Sequence, residues 1–318
     1  MDTSTSTGLR KEGFTFPSAD GTTQIHAKIV WPEGEPKAIF QIVHGMAEHI
    51  SRYERFAEYL AHAGYVVCGH DQIGHGESAA PERWGKLPAQ GGDKIMVDDI
   101  RRMAKEMEKR VPGVPHVLFG HSLGSYLARA YLATYRDPDL KACILSSTGH
   151  VPPAASAFMH GLAVQAARRH GEDAYLEMLH SLGDGAYAKQ IKNARTDFDW
   201  LSYNTENVDA YIADPACGFP FSCGGYATVS AITRFVCSPD CFAKWDKDLP
   251  VFFVAGAEDP VGSCGKGVEH AASMARDAGV KDVSVHIYAH MRHEILNETD
   301  ADDVMRDILV WAEQKVGA

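Results

Sequence analysis

Val117-Leu118-Phe119-Gly120-His121-Ser122-Leu123-Gly124 is the stretch whose reading decides the fold. An apolar triplet of strand character runs into G-x-S-x-G, and Ala128, Tyr131 and Leu132 then continue on one helical face. A serine on a sharp strand-to-helix turn exposes its hydroxyl. Side chains at 120 and 124 would collide with neighbouring backbone there, so Gly120 and Gly124 belong to the elbow. The bland reading of five such residues is a glycine-rich turn; their place at the end of a buried strand favours a nucleophile.

Outward from this unit the same rhythm recurs. Residues 38–43 and 65–68 are short apolar runs, as expected for strands buried on both faces, with a helical pattern over 51–63 between them. After the predicted helix at 122–135 come the apolar runs 142–145 and 251–254, the latter before a helix near 264–278. Residues 283–288 then precede a helix at 300–316, where Val304, Ile308, Leu309 and Trp311 share a face. The earlier run 24–31 alternates with period two, which suits an antiparallel edge. Alternating β and α units predict an α/β fold, a mostly parallel central sheet flanked by helices.

Residues 149–235 break the rhythm, with helical patterns at 154–169, 171–182 and 205–213 and no clear buried strand between them. They read as a helical cap inserted into a core made of residues 1–148 and 236–318.

A serine hydroxyl is a weak nucleophile near neutral pH, so it needs a base, and the base needs an orienting acid. Ala255-Gly256-Ala257-Glu258-Asp259-Pro260-Val261 follows the 251–254 strand, and a carboxylate there would face the same rim as Ser122. Asp259 is read as the acid and Glu258 as its competitor, because Pro260 and Val261 form a stiff loop just after 259. The bland alternative is that Asp259 caps the next helix. Beyond the last strand, Ala289-His290-Met291-Arg292-His293-Glu294 offers His293 as the base, and spacing alone leaves His290 open. For the oxyanion, the Leu123 amide opens the helix after the elbow. A second amide, Met46, comes from His44-Gly45-Met46-Ala47-Glu48-His49 after the 38–43 run; a plain strand-to-helix turn is the alternative.

Composition narrows the classes. The chain has 318 residues, enough for one large α/β domain with an insertion. With 31 Lys+Arg against 42 Asp+Glu the net charge is -11, a field that repels polyanions, so no nucleic-acid partner is expected. The first residues lack a basic and an apolar region, and no run approaches the roughly 20 apolar residues of a spanning helix, so a cytoplasmic protein is expected. Seven cysteines are an odd number and poor material for disulfides. Cys217, Cys223, Cys237 and Cys241 lack the C-x-x-C or H-x-x-x-H spacing of a zinc site, so they read as buried small residues and no metal is expected.

Together the motifs resemble the monoacylglycerol lipase and lysophospholipase branch of the α/β-hydrolases. They are His44 to His49 with Arg52-Tyr53, Asp71-Gln72-Ile73-Gly74-His75-Gly76-Glu77-Ser78, Gly120 to Gly124, Asp259-Pro260-Val261, and Arg292-His293-Glu294 with Asn297-Glu298. They span nearly the whole chain in order. The resemblance implies the α/β-hydrolase fold and selects His293 over His290. It further implies that Glu48 and Arg52 lie near a polar, glycerol-like head group, under a cap that lines an apolar acyl channel. Phe158, Met159, Leu162, Tyr175, Leu176 and Met178 are candidate lining residues, although ordinary packing of a cap helix explains most of them equally. Gln72 departs from the arginine frequent at its position, which weakens the link expected beneath the site.

The activity expected is hydrolysis of a lipid-like carboxylic ester, of the monoacylglycerol or lysophospholipid class, through an acyl-enzyme and without a cofactor. The small-molecule ester is the expected partner, with peripheral membrane contact through the cap helix 154–167 as a second one; a buried lid helix would show the same pattern. An aminopeptidase of the same fold and a non-catalytic binding relative are the alternatives.

Overall fold

The apolar runs become strands wherever helices cover both faces. In the computed structural model, which describes residues 8–317, β1 (Lys11–Pro17), β2 (Gln24–Val30), β3 (Ala38–Val43), β4 (Tyr65–His70), β5 (His116–His121), β6 (Leu140–Ser146), β7 (Val251–Gly256) and β8 (Val283–Tyr288) form one sheet. Their order is β1-β2-β4-β3-β5-β6-β7-β8. β1 pairs antiparallel with β2 and β2 with β4; the other neighbours are parallel. Every residue of β3, β4, β5 and β7 is buried, whereas β2 alternates and β8 is half open, as expected of strands away from the doubly covered centre.

The helices are α1 (Glu54–His62), α2 (Gly92–Arg110), α3 (Leu123–Thr134), α4 (Pro153–His170), α5 (Glu177–Leu182), α6 (Gly185–Ala188), α7 (Thr205–Ala213), α8 (Cys223–Val236), α9 (Pro239–Ala243), α10 (Lys266–Asp277) and α11 (Ala301–Val316). The core lies in two layers on either side of the sheet. One holds Leu118, Leu127, Tyr131 and Val268; the other holds Phe40, Phe56, Phe119 and Ile308. This is the mostly parallel, helix-flanked sheet that the sequence predicts. Between β6 and β7 the described residues contain helices α4 to α9 and no strand.

Two details differ from expectation. The helix expected over 171–182 begins only at Glu177, because Gly171, at φ 96°, terminates α4 and turns the chain. The 51–63 helix opens as a 3-10 turn, Ile50–Tyr53, before α1.

Candidate active site

The carboxyl ends of β3, β5, β6 and β7 meet at one rim, and the chemistry-bearing residues sit there. Ser122 follows β5 with φ 52° and ψ -119°, outside the ordinary basins of an L-residue. Its amide donates to the Ser146 carbonyl at 3.0 Å, which ties the elbow to β6. The flanking glycines are required sterically: a Cβ on Gly120 would lie 2.3 Å from the Gly124 carbonyl oxygen, and one on Gly124 would lie 2.1 Å from that of Val43.

Asp259 and His293 come together. His293 Nδ1 lies 3.0 Å from Asp259 Oδ1, which also accepts the Val261 amide at 2.9 Å, and both side chains are buried. The His293 carbonyl accepts the Ser147 hydroxyl at 2.6 Å, fixing the histidine loop to the end of β6. The ring packs against that of His121, the neighbour of Ser122, at 4.8 Å between centroids. No hydrogen bond joins the Ser122 hydroxyl to His293 among the described residues. The competitors point elsewhere. His290 is 94% exposed and lies 3.7 Å from the Glu258 carboxylate, which also takes the Tyr203 hydroxyl.

Burial drives the pKa of His293 down, but the carboxylates of Asp259, Glu294 and Glu48 outweigh it and leave it above the ordinary histidine value. For His121 burial, reinforced by His293, outweighs the same carboxylates, lowers it to about 4 and keeps it neutral.

The loop after β3 reaches the elbow. A Cβ on Gly45 would stand 3.2 Å from that of Ser122 and 2.6 Å from Glu48 Oε1. Ala47 takes φ 51°, and neither the Met46 nor the Leu123 amide has a hydrogen-bond acceptor among the described residues. Two unspent N–H groups therefore lie on the segments that meet at Ser122.

Glu48 and Arg52 belong to a buried network. Glu48 accepts the Gly45 amide at 2.5 Å, the Tyr53 hydroxyl at 2.8 Å and Arg52 at 3.0 Å. Arg52 forks onto both oxygens of Glu294, at 2.8 Å on the longer arm, and reaches Asn207 of α7 at 3.1 Å. Arg52 holds Glu294 down to about 2, against the upward push of burial. A cavity of about 10 Å³, room for one water, lies among Glu48, Tyr53, His121 and Glu294. A larger cavity of about 420 Å³ lies elsewhere, lined by β2, β4 and α1 residues such as Ile29, Val67 and Ala57, and holds none of Ser122, Asp259 or His293.

Gln72, where the resemblance would have an arginine, donates its side-chain amide to the His44 carbonyl at 2.6 Å. Of the apolar cap residues, Phe158, Tyr175 and Met178 are exposed, Phe158 at 67%. Sequence reading missed Trp200, whose ring packs on His293 at 5.1 Å between centroids and on Tyr187 at the same distance. Nothing in the local sequence marks Trp200, because only the tertiary path of the segment after β6 brings it over the imidazole. All seven cysteines are free, and no helix among the described residues is long and apolar enough to cross a membrane.

Comparison with known proteins places this geometry. Residues 34–300 match the family described as Hydrolase_4, serine aminopeptidase, S33. The chain is 27% identical over 295 residues to a monoacylglycerol lipase of Mycolicibacterium smegmatis, covering 89% of this chain and 90% of the relative. It is 26% identical over 289 residues to the Homo sapiens monoglyceride lipase, covering 89% and 85%. Among solved structures, a thermostable carboxyl esterase from Bacillus coagulans in complex with glycerol superposes with a TM-score of 0.90 at 28% identity, over 96% of this chain and 99% of that one.

Proposed function

This chain belongs to the Hydrolase_4 (serine aminopeptidase, S33) family of α/β-hydrolases, and on that premise we propose that it hydrolyses a carboxylic ester with a lipid-like acyl group through Ser122, His293 and Asp259. The observation that carries the reading is the buried Asp259–His293 hydrogen bond beside a serine on a strained elbow. With Nδ1–H given to Asp259, the other ring nitrogen of His293 is left as a base.

In the proposed mechanism the Ser122 oxygen attacks the ester carbonyl carbon and its proton passes to His293. Negative charge gathers on the carbonyl oxygen, between the Met46 and Leu123 amides. Collapse expels the alcohol, which takes the proton from His293, and leaves the acyl group on Ser122. Water, deprotonated by His293, then releases the carboxylate product and restores the serine. Asp259 keeps the imidazole oriented and stabilises its charged form. Glu48 and Arg52 close the polar end of the site, where a glycerol-like head would rest, and residues 149–235 act as the cap over it. No cofactor takes part. A cytoplasmic location and a lipid-surface contact of the cap belong to the same reading.

The monoacylglycerol and monoglyceride lipases aligned over about nine-tenths of the chain support a lipid-like ester. The family's printed description keeps a peptidase in view. A substrate amine would need an unspent carboxylate, and Glu48 and Glu294, whose charges act on His293, are both paired with Arg52. A panel of acyl esters graded by chain length and head group, run beside aminoacyl amides, separates the two. Ester turnover should dominate, and Ser122→Ala should reduce it about a millionfold. Turnover that stays within about tenfold of the parent would remove Ser122 from the chemistry.

A further inference from the structure

We propose that His49, Asp214 and Cys217 form a site for a divalent transition metal, Zn2+ above others, which staples the loop carrying Met46 to the segment after α7. His49 Nε2 lies 2.8 Å from Asp214 Oδ2. One ligand atom from each of the three residues falls within 4.8 Å of the others. Sequence spacing hid this group, because Cys217 pairs in space with neither of the cysteines nearest to it in the chain.

The local backbone prepares the donors. Cys217 N–H donates to the Asp214 carbonyl at 3.0 Å, a turn that turns both side chains to one side. Asp214 Oδ1 is spent on the Ala216 amide at 2.9 Å, which leaves Oδ2 for His49 and a metal. Imidazole nitrogen, carboxylate oxygen and thiolate sulfur are each normal zinc ligands at about 2.0–2.3 Å. In a tetrahedron they stand about 3.3–3.8 Å apart, so closure by at most about 1 Å through side-chain rotation brings them to ligand spacing.

No Lys or Arg side chain pairs with His49, Asp214 or Cys217 among the described residues: Arg52, whose charge acts on Cys217, is committed to Glu48 and Glu294. The two other groupings of possible ligands lack this feature. Lys28 sits on Glu77 in the grouping with His26 and Asp71, and Arg101 sits among Glu108, Asp137 and Asp139. His49 and Asp214 are half-buried, which gives an ion an approach, and Cys217 closes the inner side. Binding replaces the thiol proton of Cys217, which leaves to solvent, and forms the metal–sulfur bond.

The consequence follows from what the two segments already share. The Ala47 carbonyl accepts the Tyr211 hydroxyl and the Gly218 amide, both at 2.9 Å. A metal on His49, Asp214 and Cys217 adds a far stiffer link beside the Met46 amide. It should hold the segment after α7 against that loop and slow any turnover that needs the two to part.

Co2+ added to the purified full chain, with Zn2+ then titrated in, tests the site. A thiolate-to-cobalt charge-transfer band at one equivalent, bleached by Zn2+, is expected of the parent. Cys217→Ser should lose the band, and Asp214→Asn, at a half-exposed position, should weaken binding by at least about tenfold with an unchanged melting temperature. The second variant stands in if the first fails to fold. Absence of the band from the parent, or its persistence in Cys217→Ser, overturns the site. Zn2+ should also slow ester turnover in the parent and not in Cys217→Ser, reversibly with a chelator. That arm rests on the proposed hydrolase reading, whereas the cobalt spectrum does not.

Discussion

Gln72 holds His44 from two sides: its side-chain amide donates to the His44 carbonyl at 2.6 Å, and its backbone N–H donates to His44 Nε2 at 3.0 Å. His44 leads directly into Gly45 and Met46, so the β4 loop sets where the proposed oxyanion amide points. Gln72→Leu leaves that carbonyl buried and unpaired, at about 1–3 kcal/mol of stability. Chemical denaturation should show this loss. The turnover number on a fixed ester should fall while KM changes little, because the loop bears on the transition state more than on substrate binding.

The elevated pKa of His293 fixes a pH dependence. The base must be neutral, so kcat/KM should rise with pH and level off above a midpoint higher than that of an ordinary histidine. Asp259→Asn removes the leading cause of the elevation. The midpoint should move to lower pH while the plateau drops by about four orders of magnitude, as the imidazole loses its orientation. A midpoint that stays in place would mean that another group governs the limb.

Much of this was legible because the relevant constraints are local. Gly120 and Gly124 are forced by backbone less than 2.5 Å from a would-be Cβ, and strands buried on both faces must be apolar throughout. What escaped notice depends on distant partners. α8 opens Cys223-Gly224-Gly225, which looks like a turn, yet a Cβ on Gly224 would meet the Leu87 carbonyl at 2.1 Å and one on Gly225 that of Gly85 at 2.5 Å. Close packing against the loop 85–88 made those residues glycine. α2 carries Met96, Ile100, Met103 and Met107 at helical spacing, but among so many charges that the pattern is faint. Trp200 over His293 has no local signature at all.

Arg52 neutralises two buried carboxylates, so its loss should be severe. Arg52→Met leaves Glu48 and Glu294 facing each other without a cation, which costs about 3–5 kcal/mol. The pH profile of stability should change with it. Glu294 titrates at about 2 in the fold against an ordinary 4.5, so it contributes stability above the unfolded value that is lost as pH falls from 4.5 toward 2. In Arg52→Met that shift reverses, and stability should instead improve on mild acidification as Glu294 takes up a proton. Urea midpoints measured between pH 4 and pH 7 check the sign, about one pH unit apart.

Arg129 of α3 is fully buried and has no carboxylate partner among the described residues. Its guanidinium instead donates to the Gly149 carbonyl at 2.8 Å, the Val236 carbonyl at 2.6 Å and the Thr148 hydroxyl at 3.2 Å. Residues 149 and 236 lie where the chain leaves the sheet after β6 and where α8 ends, so one cation clasps both ends of the proposed cap. Arg129→Met keeps most of the volume but leaves two carbonyls unpaired, at about 1–3 kcal/mol. Relief from burying a charge offsets part of that loss. The global effect should therefore be modest and the local one large: limited proteolysis should cut within 149–235 several-fold faster than in the parent, at nearly the same melting temperature. Arg129→Lys reaches only one carbonyl at a time and should fall between the two. Equal cleavage rates in all three proteins would show that the segment is held by its other contacts with α2 and α3, and that the clasp contributes nothing to its closure.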